Sequence, residues 1–138
     1  MRTDRSGQDW CVALIDLDHF KSINDTHGHA TGDEALRALS RHAHTLIRRT
    51  DVLARWGGEE FVLLLPDTPI GTAATSLERL REHFHANPLA VQGVELPMSF
   101  SAGLTGHQRG ETVAQTLERA DKLCYAAKTL GRNRVERG

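Results

Sequence analysis

The stretch RWGGEEF, residues 55–61, sets Glu59 and Glu60 side by side at the head of the apolar run VLLLP. Upstream, the apolar CVALI runs straight into Asp16 and Asp18. If both stretches are strands and neighbours in one sheet, Asp16 and one glutamate converge at the same edge. Carboxylates gathered in this way repel one another unless a cation joins them. Hard oxygen ligands suit Mg²⁺, which is commonly held by one or two carboxylates and the phosphates of a substrate. Gly57 and Gly58 would let such a ligand lie against the backbone of the turn. The complementary cations are Lys21, just past the first strand, with Lys128 and Arg132 bracketing KTLGR near the C-terminus. Each residue taken alone has a plainer reading. Asp16 and Asp18 could cap the following turn, Gly57-Gly58 could be only a hairpin turn, Glu60 could face solvent, and Lys128 and Arg132 could serve a helix dipole. Together in one short domain they point to a metal-dependent nucleotide site, with the base and the reaction left open.

The elements that must position these groups follow from periodicity. CVALIDLDHF begins as a strand through Val12, Ala13, Leu14 and Ile15, and HFKSINDTHGH reads as one or two helical turns and a loop. TGDEALRALSRHAHTLIRR is a helix, with Leu36, Leu39, Ala43, Leu46 and Ile47 on its apolar stripe. DVLARWGGEEFVLLLP gives two strands joined by a tight glycine turn and closed by Pro66 and Pro69. A second amphipathic helix spans about 70–84, with Ala74, Leu77 and Leu80 inward and Glu78, Arg79, Arg81 and Glu82 outward. VELPMSFSAGLT alternates from Val94 to Leu104 as one half-buried strand. The last helix, near 112–130, carries Val113, Leu117, Ala120, Leu123 and Ala127 on one stripe, and NRVE follows as a short final strand. This order predicts an α/β fold, one mixed sheet flanked by helices, since the hairpin excludes a purely parallel sheet.

Composition narrows the class. The 138 residues make one domain, and 39% hydrophobic with 25% charged is ordinary globular usage. A net charge of −1 gives no overall field for nucleic acid or an anionic membrane, so any anion site is local. Cys11 and Cys124 lie far apart within apolar stretches, which reads as core cysteines in a reducing compartment. No apolar run reaches the length of a membrane span and no signal peptide opens the chain, so the cytoplasm is expected. Of the H-x-H pairs, His42/His44 and His83/His85 belong on the surface, because residues two apart on a helix do not share a face.

These residues resemble the GGDEF domain family, diguanylate cyclases, in the GGEEF variant of its signature at Gly57–Phe61. DLDHFKSINDTHGHATGDEAL is similar to the family's long upstream motif and YAAKTLGRNRV to its closing one, so the resemblance runs from Val12 to Val135. It implies a five-stranded sheet wrapped by helices, like the nucleotidyl cyclases. It implies that Asp16, Glu59 and the carbonyl of Leu17 bind two Mg²⁺, with Mn²⁺ as a substitute. Asn24 and Asp33 then read the guanine edge, His29 contacts substrate, and the backbone of His19 and Phe20 with Lys21, Lys128 and Arg132 surrounds the triphosphate. The implied reaction joins two GTP into cyclic di-GMP with release of two pyrophosphates, Glu59 near the attacking hydroxyl and Glu60 in support. Each domain holds one GTP, so a homodimer is implied.

Arg48 and Asp51 form an R-x-x-D pair with five residues between Asp51 and Gly57, the family's product-inhibition spacing, and Arg79 sits where a partner domain's arginine often lies. Plainer readings are a helix-end cation for Arg48 and an ion pair with Glu82 for Arg79. The family's upstream helical motif is absent before Cys11, so residues 1–10 are expected to be a polar tail and 11–138 the catalytic domain, with a missing or separate sensory domain. The runner-up function is a catalytically silent module that binds GTP or cyclic di-GMP. A cyclase acting on a single nucleotide is disfavoured by Asn24, Asp33 and the inhibitory pair.

Overall fold

The computed structural model describes residues 10–138. The expected polar tail lies outside the described residues apart from Trp10, which opens the first strand. The elements are β1 (Trp10–Leu17), α1 (Phe20–His27), α2 (His29–Leu46), β2 (Val52–Gly57), β3 (Glu60–Pro66), α3 (Ile70–Ala86), β4 (Leu89–Val91), β5 (Val94–Leu96), β6 (Phe100–Gly106), α4 (Val113–Thr129) and β7 (Arg134–Arg137).

Five strands form one sheet in the order β2-β3-β1-β6-β7. The first three pairings are antiparallel and β6–β7 is parallel, so the sheet is mixed as expected. Both central strands are covered on both sides, which is why β1 and β6 are apolar or small nearly throughout. Cys11, Ala13, Ile15 and Leu17 join Phe61, Leu63, Leu65, Ala102 and Leu104 in a core shared with α2 and α3. By alternation, Val12, Leu14 and Asp16 project from the other face, where α4 packs.

Gly103 decides how closely α4 can approach. A Cβ at Gly103 would collide with the Ala120 carbonyl and the Cys124 amide, so only glycine admits the helix backbone there. The helix meets this close contact with small residues, burying Thr116, Ala120, Cys124 and Ala127. The apolar stripe expected from Val113 is therefore rotated, and Val113 itself is exposed. Thr112 caps the helix in a reciprocal capping box with Gln115.

The single strand expected from Val94 to Leu104 is two. Pro97 supplies no N–H to a ladder, and the chain leaves β5 there before entering β6. β5 pairs instead with β4 in a small separate hairpin that periodicity did not reveal. On α3 the buried residues are Ala73, Leu77, Leu80 and Phe84, with Ala74 only at the margin. Arg81, expected outward, is largely covered and ties α3 to Asn133 before β7. Leu46, expected in the core, is exposed at the end of α2. The histidines of both surface pairs are exposed or partly so, and both cysteines are buried. Among the described residues, no helix is long and apolar enough to cross a membrane.

Candidate active site

β1 and β3 are neighbours, and their register sets Asp16 opposite Glu60. One residue on, the Leu17 amide donates to the Glu59 carbonyl at 3.2 Å, so the hairpin tip is fastened to the end of β1. Gly57 faces Glu60 across β2–β3, leaving Gly58 and Glu59 as the two-residue turn. Arg55 Nε closes that turn on the Gly58 carbonyl at 2.8 Å. A bulge at Trp56 leaves its ring exposed. Nothing lies within 4 Å of a side chain built at Gly57 or Gly58, so the tip is open for close approach.

Lys128 reaches from the last turn of α4 to the buried Asp16 carboxylate and donates to it. Burial alone would lower the Lys128 ammonium, but the hydrogen bond and charge of Asp16, with Glu60, outweigh it and hold it above the ordinary lysine value. Glu60 moves up from the usual carboxylate value, first through burial, then through the nearby charges of Asp16, Asp121 and Glu59, with Lys128 opposing. Burial and neighbouring acids both disfavour the charged form, and a cation bound there would oppose them. Glu60, Asp121, Lys122, Cys124, Tyr125 and Lys128 line one cavity of about 340 Å³ beside this edge. Burial drives the Cys124 thiol up to about 12, which makes it inert at neutral pH.

Around the corner, α1 and α2 form a second part of the site. Asn24 on α1 lies over Gly32 on α2, where any side chain would run into the Asn24 amide. The Asn24 Oδ1 is shielded from solvent and has no hydrogen-bond partner. Such an atom is costly unless a donor arrives. Asp33, next to Gly32, and His29, at the head of α2, are exposed. His19 stands in the left-handed region at φ 57 as α1 begins, its carbonyl taken up by Ser22 and Ile23. Phe20 is buried, whereas Lys21 extends into solvent beside Asp25 at 3.2 Å.

The metal set expected from sequence is Asp16, the Leu17 carbonyl and Glu59. Among the described residues, no group of three or more His, Cys, Asp or Glu is arranged to hold a metal. The donor chemistry nonetheless fits a hard divalent cation, since two carboxylates stand in register and the charge of Asp16 helps raise the proton affinity of Glu60.

The R-x-x-D pair lies at the other end of β3, near Pro66, about 20 Å from Glu60 by strand rise. Asp51 is buried and both its oxygens accept from Arg48: Oδ2 from the main-chain amide at 2.9 Å, Oδ1 from the guanidinium at 3.1 and 3.3 Å. Arg48 also donates to the Pro66 carbonyl and the Thr68 hydroxyl. Arg79 lines a separate groove with Glu78, Glu82 and Arg137. The ion pairs of Glu78 and Glu82 go to Arg81, at 2.7 and 3.9 Å.

Sequence reasoning gave no role to Asp121, Tyr125 or Asn133. The first two were detectable, because Asp121, Tyr125 and Lys128 recur at four- and three-residue steps on one face of α4. Asn133 left no pattern, since its part depends on a left-handed turn after that helix.

Comparison with known proteins adds an independent line. The family model described as diguanylate cyclase, GGDEF domain, matches residues 1–134. A curated relative, diguanylate cyclase DgcP of Pseudomonas aeruginosa, is 42% identical over 135 residues, 98% of this chain and 20% of its own length. The crystal structure of diguanylate cyclase SiaD from P. aeruginosa, in complex with its activator SiaC, superposes with a TM-score of 0.93 at 40% identity, over 99% of this chain and 53% of that one. The GGDEF domain of DgcB from Caulobacter crescentus, in complex with c-di-GMP, gives 0.91 at 34% identity, over 99% and 81%. The chain spans about a fifth of the length of the curated relative. Signature, sheet order and family match agree: the chain belongs to the diguanylate cyclase GGDEF domain family.

Proposed function

We propose that this domain condenses two molecules of GTP into cyclic di-GMP, releasing two pyrophosphates, as one half of a homodimer. The observation that carries the reading is the Asp16–Glu60 register at the open glycine tip, with Lys128 donating to Asp16. In this reading Asn24 Oδ1 accepts from a guanine N–H, which would satisfy its buried oxygen, and Asp33 accepts from the same edge. His29, the backbone of His19 and Phe20, and Lys21 lie along the nucleotide. Lys128 and Arg132 neutralise the outer phosphates, which become the leaving pyrophosphate. Asp16, the Leu17 carbonyl and Glu59 would hold two Mg²⁺, or Mn²⁺, and metal bound there supplies charge stabilisation for the attacking and leaving oxygens. Glu59 is within the turn where the attacking 3′-hydroxyl must lose its proton, and Glu60 adds negative charge that favours cation binding. Each domain binds one GTP, so two must face each other for in-line attack. A GTP-consuming domain of this kind works in the cytoplasm. Arg48 and Asp51, with Arg79 from a second domain, bind the product and slow the reaction. A sensory domain that sets the dimer would be the natural input.

Incubation with GTP and Mg²⁺ at rising protein concentration tests this, with nucleotides separated by chromatography. Cyclic di-GMP and pyrophosphate, formed with specific activity that climbs with concentration, are the expected result. Absence of product at high concentration would leave a nucleotide- or cyclic di-GMP-binding module in place of a cyclase.

A further inference from the structure

We propose that Asp18, working through Asn133, positions Arg132 for recognition of the outer phosphates of the nucleotide; this rests on the phosphate role given to Arg132 above. Asp18 directly follows β1, two residues after Asp16, and is only 6% exposed. A carboxylate so buried has to be hydrogen-bonded. Its Oδ1 accepts from Ser101 Oγ at 2.6 Å, and its Oδ2 from Ser99 Oγ at 2.7 Å and the Asn133 main-chain amide at 2.9 Å. The last of these bonds ties β1 to the turn that carries Arg132.

That turn needs holding. Arg132 and Asn133 have φ of 63° and 47°, two successive left-handed residues and neither of them glycine. Such backbone persists only where its surroundings fix it. Three elements do so. The Arg132 amide donates to Ala127 O on α4 at 3.0 Å, Asp18 takes the Asn133 amide, and Arg81 Nη1 of α3 donates to Asn133 Oδ1 at 2.9 Å. His85 Nδ1 lies 3.3 Å from the Asn133 side-chain nitrogen, Nδ2. Lys128 is bound to Asp16, so the 128–133 segment is fastened to residues 16–18 at both of its ends. The exposed Arg132 stands between these fixed points, two residues before Arg134, which lies in the same cross-sheet row as Ser101, Asp16 and Glu60. Asp18 and Asn133 are thus positioning residues; neither need touch the nucleotide.

The test compares affinities for GMP and for a guanosine triphosphate with a methylene α,β-bridge, which cannot react. Arg132→Ala is expected to lose about tenfold for the triphosphate and to leave GMP binding within about twofold, the worth of one charge-assisted contact. Asp18→Ala is expected to show the same selective loss, and the double variant to bind no worse than Arg132→Ala alone, because both act on one contact. Asp18→Asn can turn its amide so that the oxygen still accepts from Asn133 and the nitrogen donates to Ser101, and it should restore most of the affinity. Equal losses for both ligands, or losses that add in the double variant, would overturn the proposal. Should Asp18→Ala not fold, Asn133→Gly keeps the main-chain amide and the left-handed turn but drops the side-chain bonds to Arg81 and His85. It is expected to lose about threefold for the triphosphate alone, and unchanged affinity would count against the proposal. Triphosphate binding unaltered by Arg132→Ala would instead sink the phosphate role of Arg132, so the two failures are told apart.

Discussion

The two ends of α4 handle charge in opposite ways. At its N-terminal end, Glu111 accepts from Arg119 at 2.6 and 2.8 Å, from Thr116 at 2.7 Å and from the Gln108 amide at 3.0 Å. Arg119 spends its remaining donors on Thr105 and the Gly106 carbonyl. Thr116 also meets the buried His107 ring, which stacks on Trp10 at 4.5 Å. The Glu111 carboxyl is held down to about 2, chiefly by the Arg119 hydrogen bonds. At the C-terminal end, burial and the charges of Asp16, Asp121 and Glu59 push Glu60 up, with Lys128 opposing. The pKa of Glu111 falls because its cation is within the fold, whereas that of Glu60 rises first through burial and then through neighbouring acids that Lys128 only partly offsets. One helix thus carries a knot that holds the structure and an edge suited to a ligand.

The sharpest way to break this contrast is at the ligand edge. Glu59 contributes its main-chain carbonyl to the fold, through the Leu17 amide. Glu59→Ala should therefore cut cyclic di-GMP formation by ~100-fold or more, the loss typical of a group that acts on the transition state. Its thermal midpoint should stay within about 2 °C of the parent. Chromatography of the products and a melting curve check both halves. Undiminished turnover would remove Glu59 from the metal set.

At the knot the expectation is reversed: stability suffers and nucleotide binding does not. Glu111→Gln keeps the shape but leaves the Arg119 guanidinium without its charge partner, at a cost of about 2 kcal/mol. For a domain of this size that lowers the melting temperature by about 6–10 °C. The pH dependence has a definite sign. The folded-state value is depressed from 4.5 to about 2, so the stabilisation is complete above the ordinary value and is lost as pH falls through that interval. Melting curves of parent and variant should differ most above pH 5 and converge as pH falls toward about 2. A gap that stays constant over this range would remove Glu111 as its source.

Much of this was legible from residue types and spacing. β1, the hairpin, α3 and α4 stand within a few residues of where periodicity put them, because a strand or helix with one buried face writes its period into the chain. The convergence of Asp16 with a glutamate followed from two acid-ended strands. The register that selects Glu60 as the facing residue did not, since a shift of one residue leaves the pattern of the apolar run nearly unchanged. The β4–β5 hairpin escaped because alternation carries on through Pro97 while the ladder cannot. Asp18 escaped for a different reason. Its partners Ser99, Ser101 and Asn133 are more than 80 positions away, and a buried carboxylate looks in sequence like a capping one.

Arg48 and Asp51 put the contrast itself at risk. Asp51 is buried, both its oxygens are taken by Arg48, and Arg48 is further tied to Pro66 and Thr68, which is the manner of the knot. The proposed inhibitory role needs the opposite, a pair ready to receive a guanine or a phosphate. Both hold if the guanidinium, with half of its side chain exposed, turns outward to the product while the Arg48 amide keeps its bond to Asp51. Arg48→Ala should then cost about 1 kcal/mol in stability and also abolish the slowing of the reaction by added cyclic di-GMP. Progress curves with and without added product, beside a melting curve, read out both effects. A stability loss with inhibition intact would make Arg48–Asp51 a second structural knot, and saturation of an acid's hydrogen bonds would then suffice to tell scaffold from site in this fold.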